Sequence, residues 1–158
     1  MEAPVYPCNS IYSVRALALA LGESEQLLIR LAARCNRMYR YVPQTKKNGD
    51  KRDTYDAHHP LKRVQRKIVD RILSRVVFPS YLHGGIKDRL SPRSIYSNAK
   101  VHSGARFVIL QDIKDFYPSI SSTHVTGIYK DIFRFGDAVA QLLSALCTRN
   151  GCPPQGAS

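Results

Sequence analysis

Apolar and polar positions in the first third of the chain alternate with the period of an α-helix. A stripe of valine and leucine predicts a short helix over residues 10–22, with Ser10 as its N-cap and Gly22 at its end. A second helix is predicted from Ser24, where leucines recur every three or four positions and arginines fall on another side. We therefore expect an amphipathic second helix whose basic side carries Arg30, Arg34 and Arg37.

Two β-prone runs, residues 39–42 and 52–55, flank the turn sequence Lys46-Lys47-Asn48-Gly49. An Asn-Gly pair between such runs is a strong signal for a β-hairpin, because both residues tolerate positive φ. The sequence therefore predicts a hairpin with a cationic tip.

A long helix is predicted over residues 61–76, directly after Pro60, because apolar residues recur there on one face. Its polar face is almost wholly basic. The basic residues of this predicted helix are Lys62, Arg63, Arg66, Lys67, Arg71 and Arg75.

The pattern changes after the basic helix. Residues 78–91 contain proline and glycine and are predicted to be irregular, before a short helix over residues 92–100. The apolar run within residues 106–113 is continuous rather than alternating, which predicts a strand buried on both faces. Two helices should follow, one from Ser122 and one over residues 137–148.

The distribution of charge along the chain adds an expectation about its binding partner. The chain of 158 residues is 44% hydrophobic, which suits one domain with one core. Its 24 basic and 12 acidic residues give a formal net charge of +12, and residues 30–75 alone hold 14 basic against 4 acidic side chains. Such a regional excess favours a polyanionic partner, nucleic acid above all. From charge alone, a solvated basic surface is an equal alternative.

Disulfide, zinc and membrane classes are disfavoured by the sequence. The cysteines lack C-x-x-C spacing and are too few for a disulfide framework, so we expect reduced structural thiols. The histidines lack ligand partners at useful spacing, so we assign them no metal. The chain starts without a leader-like segment and contains no run of 18 apolar residues, which predicts a cytoplasmic protein without a membrane partner. The cysteines are Cys8, Cys35, Cys147 and Cys152.

The most informative segment runs from Ile109 to Ile120, where the apolar run meets two carboxylates, Asp112 and Asp115, and then an aromatic pair. A carboxylate at the end of a buried strand is costly unless it is paired or holds a cation. Magnesium takes hard oxygen ligands of this kind together with substrate phosphates. Without its flanks, the pair would instead indicate solvated acids at a strand end.

With its flanks, the segment Asp112-Ile113-Lys114-Asp115-Phe116-Tyr117-Pro118-Ser119-Ile120 resembles the first palm motif of reverse transcriptases. Further blocks resemble the same family in the same order, and ordered blocks are far less expected by chance than one motif. The sequence thus resembles the N-terminal part of a bacterial retron-like or group II intron-like reverse transcriptase, without distinguishing the two. The other blocks are the hairpin over residues 39–52, the basic run 61–66, His83-Gly84 with residues 94–102, and Pro153-Pro154-Gln155-Gly156-Ala157-Ser158.

The resemblance implies an α+β fold of the right-hand polymerase type, with fingers and a partial palm whose sheet is incomplete, and with the thumb absent. Residues 1–38 would form an N-terminal helical region and residues 39–106 the fingers. Residues 107–158 would form the partial palm, which ends after the Pro-Gln-Gly motif.

The resemblance also implies a nucleotide site that works with two magnesium ions. Asp112 would be the catalytic, metal-binding aspartate, with the main-chain carbonyl of Ile113 as a further ligand. Asp115, Phe116 and Tyr117 would form the floor under the nucleotide, where Tyr117 would exclude a ribose 2′-hydroxyl; a buried core tyrosine is the alternative. The other nucleotide-binding candidates are Lys46, Lys47, Arg52 and Gln155, and the nucleic-acid-binding candidates are Lys62, Arg63, Arg66, Lys67, Asn98 and His102.

The implied activity is RNA-directed DNA synthesis. Its partners would be a structured noncoding RNA used as template and primer, deoxynucleotide triphosphates, the DNA product and an effector protein in antiviral defence. One departure weighs against activity of this chain by itself: no Tyr-x-Asp-Asp sequence follows Asp115. We therefore expect the chain to be inactive alone, and to self-associate or require a complementary C-terminal chain because its palm strand would lack a neighbour.

Two alternatives stay open at this point. The chain could be a non-catalytic RNA-binding fragment or one half of a split reverse transcriptase, and the coding sequence after Ser158 would discriminate these from the enzyme. A generic basic ribosome-associated or DNA-associated protein would account for the charge, but not for the palm-like motif.

Overall fold

Helices and one small antiparallel hairpin make up the regular structure of the described residues. The computed structural model describes residues 2–45, 49–86 and 92–156. The helices are α1 Val14–Leu21, α2 Glu25–Arg34, α3 His59–Arg71, α4 Ile95–Val101, α5 Phe116–Ser119, α6 Ser122–Asp131 and α7 Asp137–Cys147, with 3-10 turns at Cys35–Arg37 and Leu73–Arg75. The strands are β1 Tyr39–Tyr41, β2 Gln44–Thr45, β3 Lys51–Arg52 and β4 Tyr55–Ala57.

The two N-terminal helices begin at serine caps. The Ser24 hydroxyl accepts a hydrogen bond from the Leu27 amide at 3.2 Å, which confirms the predicted start of α2. The expected cap of α1 at Ser10 is wrong, because Ser13 caps this helix. Ser10 instead donates to the Phe133 carbonyl at 3.1 Å and ties the N-terminal segment to the loop after α6.

The predicted hairpin is confirmed. β1 pairs antiparallel with β4, with Tyr41 opposite Tyr55, and β2 pairs with β3 nearer the tip. The two ladders are joined where the Val42 amide donates to the Thr54 carbonyl at 2.8 Å. The tip residues Lys46 and Lys47 lie outside the residues that the structure describes.

Helix α3 has the predicted apolar face, with Leu61, Val64 and Ile68 buried. It begins before the predicted start, with Pro60 in its first turn, where the missing amide proton costs nothing. It ends at Arg71 rather than continuing to residue 76, and a 3-10 turn follows, a tightening that is common at helix C-termini.

One hydrophobic core unites five helices, α1, α2, α3, α6 and α7. Leu17, Leu28, Leu61 and Leu143 are fully buried in it and come from four of these helices. All three segments that the sequence assigns to separate polymerase regions therefore contribute side chains to the same core. Helix α7 packs against α1, α2, α3 and α6, so it occupies a central place among the helices.

A buried polar network holds the end of α7 to the hairpin and to α3. Gln65 donates to the Tyr39 hydroxyl at 2.8 Å and to the Leu146 carbonyl at 2.9 Å. The Cys35 thiol donates to the Thr148 carbonyl at 3.2 Å, and burial raises the pKa of this thiol. The network fixes the point where the chain leaves α7 for the residues that carry the Pro-Gln-Gly motif.

The predicted buried strand over residues 106–113 is wrong. These residues adopt no regular structure and are exposed, with Phe107 89% and Leu110 92% accessible to solvent. A strand needs a ladder partner and a covering layer, and the sheets among the described residues are the two ladders of the hairpin. The apolar side chains of this segment are therefore exposed among the described residues, although its composition is typical of a buried strand.

All four cysteines are free thiols, as the sequence predicts, and Cys35 is buried. Within the described ranges, no helix has the length and apolar character needed to cross a bilayer.

Candidate functional site

The palm-like motif forms a tight turn after the exposed apolar segment. Asp112 and Ile113 are exposed, and Asp115 adopts a left-handed conformation with φ of 53° at the start of α5. The Asp115 carbonyl accepts a hydrogen bond from the Ser119 amide at 3.0 Å and closes the turn. Because only short polar residues and glycine visit this conformation routinely, Asp115 suits the position.

The aromatic pair of the motif lies on this turn. The rings of Phe116 and Tyr117 meet edge to face, with centroids 5.6 Å apart. Tyr117 is 39% exposed, which excludes the alternative of a buried core tyrosine. Both rings are thus available at the surface beside the motif carboxylates.

A second turn, residues 149–152, packs against this motif. Its ends are joined by hydrogen bonds of 2.8 and 3.1 Å between the main chains of Arg149 and Cys152. The Cys152 thiol donates to the Pro118 carbonyl at 3.5 Å, and the Ser122 amide donates to the Gly151 carbonyl at 2.6 Å. The start of the Pro-Gln-Gly segment is therefore held beside α5.

The same segment also docks on the hairpin. The Gln155 carbonyl accepts a hydrogen bond from the Tyr55 amide at 2.9 Å. Gly156 has φ of +82°, and a Cβ there would lie 2.9 Å from the Cβ of Thr54, so a side chain would be strained in conformation and crowded by the hairpin. The structure thus brings together the hairpin, the Pro-Gln-Gly segment and the motif turn.

Arg149 reinforces this junction, although the sequence did not single it out. Its guanidinium lies over the Tyr55 ring, 4.1 Å from the ring centroid. Its Nε is buried and has no hydrogen-bond partner among the described residues. A lone arginine carries no sequence signal for such stacking, because its aromatic partner lies far away along the chain.

Arg52, the predicted triphosphate contact, is exposed on β3 close to Thr54 and Tyr55. Lys46 and Lys47 fall outside the described residues. The Gln155 side chain makes no hydrogen bond within the described ranges, because its anchor on the hairpin is the main chain. Both side chains therefore remain available for a ligand.

Most basic side chains of α3 form ion pairs or hydrogen bonds with other parts of the protein. Lys67 and Arg63 both pair with Glu23, at 2.6 and 3.2 Å, and the Glu23 side chain is only 8% exposed. The hydrogen bond from Lys67 lowers the pKa of the Glu23 carboxyl. Lys62 pairs with Asp56 on β4 at 2.8 Å. These three cations hold α3 to neighbouring elements.

Two further contacts come from the same helix. The Arg71 guanidinium donates to the Ala20 carbonyl at 3.2 Å and Lys67 to the Gly22 carbonyl at 3.1 Å, so both satisfy the C-terminal end of α1. Arg66 is exposed and, within residues 2–45, 49–86 and 92–156, makes no such contact. The surface of α3 is thus less cationic than its sequence indicates.

Asn98 and His102 lie on or next to α4, which is exposed on nearly every side. The His102 amide caps this helix by donating to the Ala99 carbonyl at 3.0 Å, and its imidazole is exposed. The helix begins with a capping box between Ser94 and Ser97.

The donor chemistry of the motif turn fits part of a magnesium site. Asp112 offers one exposed carboxylate, and the exposed main chain of Ile113 offers one carbonyl, both hard oxygen donors. Among the described residues, no three histidine, cysteine or acidic side chains cluster closely enough to hold a metal ion together. The motif turn can therefore supply the two ligands that the resemblance implies for it, the Asp112 carboxylate and the Ile113 carbonyl. It does not form a complete two-metal site.

Comparisons with known proteins agree with the motif. The Retron Se72 reverse transcriptase of Salmonella heidelberg is 35% identical over 157 residues, 99% of this chain and 40% of that relative. By sequence, the chain is similar to retron reverse transcriptases over most of its own length. The Retron Ec48 reverse transcriptase of Escherichia coli is 32% identical over 70% of the chain, and the Retron Mx162 reverse transcriptase of Myxococcus xanthus is 33% identical over 86%. No protein-family model matches the chain.

This retron-like chain spans only part of its relatives' length: 40% of the Se72, 29% of the Ec48 and 28% of the Mx162 protein. The match to the Se72 protein extends over 157 of the 158 residues. It therefore includes the hairpin, the motif turn and residues of the Pro-Gln-Gly segment, which adjoin one another in the structure.

Proposed function

We propose that this chain supplies the fingers and the first half of the palm of an RNA-directed DNA polymerase of the retron type. The observation that supports this most strongly is the three-way junction of hairpin, Pro-Gln-Gly segment and motif turn. The Tyr55 amide binds the Gln155 carbonyl, and Cys152, directly before the Pro-Gln-Gly segment, binds the Pro118 carbonyl, so three blocks separated in sequence adjoin one another. A protein that binds nucleic acid through its positive charge alone would not require these three blocks to adjoin one another.

In this proposal the junction binds a deoxynucleotide triphosphate. Arg52 contacts the triphosphate, because a guanidinium fork fits phosphate oxygens in a bidentate manner, and Lys46 and Lys47 add charge. Gln155 contacts the base or sugar. Asp115, Phe116 and Tyr117 form the floor, and Tyr117 excludes nucleotides that carry a 2′-hydroxyl.

Asp112 and the Ile113 carbonyl would hold magnesium, which would orient the triphosphate and stabilise charge that develops on the leaving oxygen. Further carboxylates would have to complete the two-metal site. This chain contains no Tyr-x-Asp-Asp sequence, so we expect it to be inactive when purified alone.

The nucleic-acid partner in this proposal is a structured noncoding RNA that serves as template and primer. Arg66, Asn98 and His102 are exposed and free to contact it. Lys62, Arg63 and Lys67 could do so only by exchanging their acidic partners for phosphates. An effector protein, a role in antiviral defence and a cytoplasmic location belong to the same proposal and rest on the resemblance.

A second candidate is RNA binding without catalysis. The favouring observation is the uneven charge, since no acidic residue occurs between residues 26 and 45. This function requires only a phosphate-binding surface.

The deciding experiment is primer extension on an RNA template by the protein expressed from its whole reading frame. We expect magnesium-dependent incorporation of deoxynucleotides, and no incorporation by the 158-residue chain alone. RNA binding by the whole protein without incorporation, under conditions where a retron relative is active, would favour the second candidate.

A further inference from the structure

The arginines of α2 and of the 3-10 turn after it form a ridge that the proposed nucleotide site does not use. We define the arginine ridge as Arg30, Arg34 and Arg37. All three are exposed: Arg30 and Arg34 lie on α2, whose buried residues are Leu28 and Leu31, and Arg37 ends the 3-10 turn that follows. With a rise of about 1.5 Å per residue, they extend over roughly 10 Å of the helix axis.

The ridge differs from α3 because its cations have no protein partners. None of the three makes a hydrogen bond or ion pair with residues 2–45, 49–86 or 92–156. On α3, by contrast, Lys62, Arg63 and Lys67 are each paired with a carboxylate, and Arg63 and Lys67 share that of Glu23. Within the part of the chain that the structure describes, three unpaired arginines therefore lie on α2 and its 3-10 turn, although the sequence places more cations on α3.

The chemistry of the ridge favours a phosphate backbone. A guanidinium presents two parallel donors that match phosphate oxygens, and arginine is weakly hydrated compared with lysine. Residues 24–37 contain no aromatic side chain, so the ridge lacks the aromatic platforms on which single-strand-binding proteins stack successive bases. A membrane surface is disfavoured because the apolar face of α2 is buried in the core and could not insert.

We propose that the arginine ridge binds the phosphate backbone of a double-stranded RNA stem. The proposal rests on the RNA partner of the proposed function, but not on polymerisation. Contact to the stem is through charge and shape, because side chains cannot read the deep, narrow major groove of A-form RNA. The ridge thus holds a structured RNA on a different surface from the nucleotide junction.

The test measures binding of the whole 158-residue chain to an RNA hairpin with a fully paired stem, at several salt concentrations. The ridge variant carries Arg30→Gln, Arg34→Gln and Arg37→Gln. The matched control carries Arg15→Gln, Arg75→Gln and Arg134→Gln, which remove the same charge from other exposed positions. If each ridge arginine holds one phosphate, the slope of log affinity against log salt falls by about 3 in the ridge variant and by less than about 1 in the control.

Three results would overturn the proposal: equal losses in the two variants, unchanged binding of the ridge variant, or competition by polyglutamate as strong as by the RNA stem. A measurement on the unsubstituted chain keeps the test valid if the ridge variant misfolds. Phenylglyoxal modifies free guanidinium groups, and the RNA stem should protect Arg30 and Arg34 while leaving Arg15 reactive. Failure of primer extension would leave these results unaffected, so the two proposals fail separately.

Discussion

The Arg149 guanidinium stacks on the ring of Tyr55, 4.1 Å from its centroid, and this contact joins the turn after α7 to the hairpin. The Tyr55 amide simultaneously donates to the Gln155 carbonyl. One hairpin tyrosine therefore anchors the Pro-Gln-Gly segment by its main chain and the preceding turn, residues 149–152, by its ring.

We expect Arg149→Ala and Tyr55→Leu each to destabilise the chain, with a coupling energy of about 1 kcal/mol in a double-mutant cycle. The coupling arises because each substitution removes the same cation–π contact. Urea unfolding of the two single variants and the double variant measures it. Tyr55→Phe is the control, since it keeps the ring and should leave the coupling in place. Additive effects of Arg149→Ala and Tyr55→Leu would contradict a stabilising contact.

The sequence predicted elements whose determinants are local. Ser24 stands directly before the apolar stripe of α2 and caps it, and Gly22 adopts the left-handed conformation that ends α1. The hairpin followed from its own turn sequence and flanking β-prone runs. In each of these elements, the residues that decide the structure lie within a few positions of one another.

The errors share a non-local cause. Ser10 and Ser13 are both suitable caps, and packing decided between them, because the Ser10 hydroxyl binds a carbonyl 123 positions away. The α3 cations looked free because Glu23, which pairs with Lys67, lies 44 positions earlier. Residues 106–113 have the composition of a buried strand, but a strand forms only where another strand offers its main chain.

The Glu23 pairs give a second prediction. Glu23→Gln should lower the free energy of unfolding at neutral pH by roughly 1 kcal/mol, because the neutral amide binds Lys67 and Arg63 more weakly than the carboxylate does. Glu2→Gln, at an exposed position, should have no measurable effect. Urea unfolding of the two variants compares them, and equal stability of both variants and the unsubstituted chain would show that the pairs contribute nothing.

The same carboxylate should contribute to acid sensitivity. The pKa of Glu23 in the folded chain is held below its usual value of 4.5, first by the hydrogen bond from Lys67. A depressed folded-state pKa contributes stability that is complete above the unfolded-state pKa and is lost as pH falls through the folded-state pKa. The unsubstituted chain should therefore lose more stability than Glu23→Gln between about pH 5 and about pH 3. Parallel acid profiles of the two proteins would contradict this assignment.

A third prediction contrasts two leucines. Leu110 is 92% exposed and Leu143 is fully buried. Leu110→Ala should change stability by less than about 0.5 kcal/mol, whereas Leu143→Ala should cost about 2–5 kcal/mol. If the exposed apolar segment drives self-association, Leu110→Lys should lower the association measured by sedimentation. A large loss of stability in Leu110→Ala would instead indicate that residues 106–113 are packed.

The exposed ring of Tyr117 gives a fourth prediction. In the protein expressed from its whole reading frame, Tyr117→Val should admit ribonucleotides, because the proposed barrier to the 2′-hydroxyl is steric. The ratio of ribonucleotide to deoxynucleotide incorporation measures the effect. Tyr12→Val is the matched control, since it removes an exposed tyrosine ring outside the proposed nucleotide site and should leave sugar selectivity unchanged. Unchanged sugar selectivity in Tyr117→Val would remove the proposed role.

The most direct measurement of the central proposal compares Asp112→Asn with Asp131→Asn in RNA-templated primer extension by the protein expressed from its whole reading frame. Both aspartates are exposed, and Asp131 lies at the end of α6. We predict that Asp112→Asn abolishes nucleotide addition while RNA affinity stays within about twofold, because the carboxylate acts through magnesium rather than through the RNA. Asp131→Asn should keep full activity. Extension by Asp112→Asn at the rate of the unsubstituted protein would contradict the proposed polymerase site.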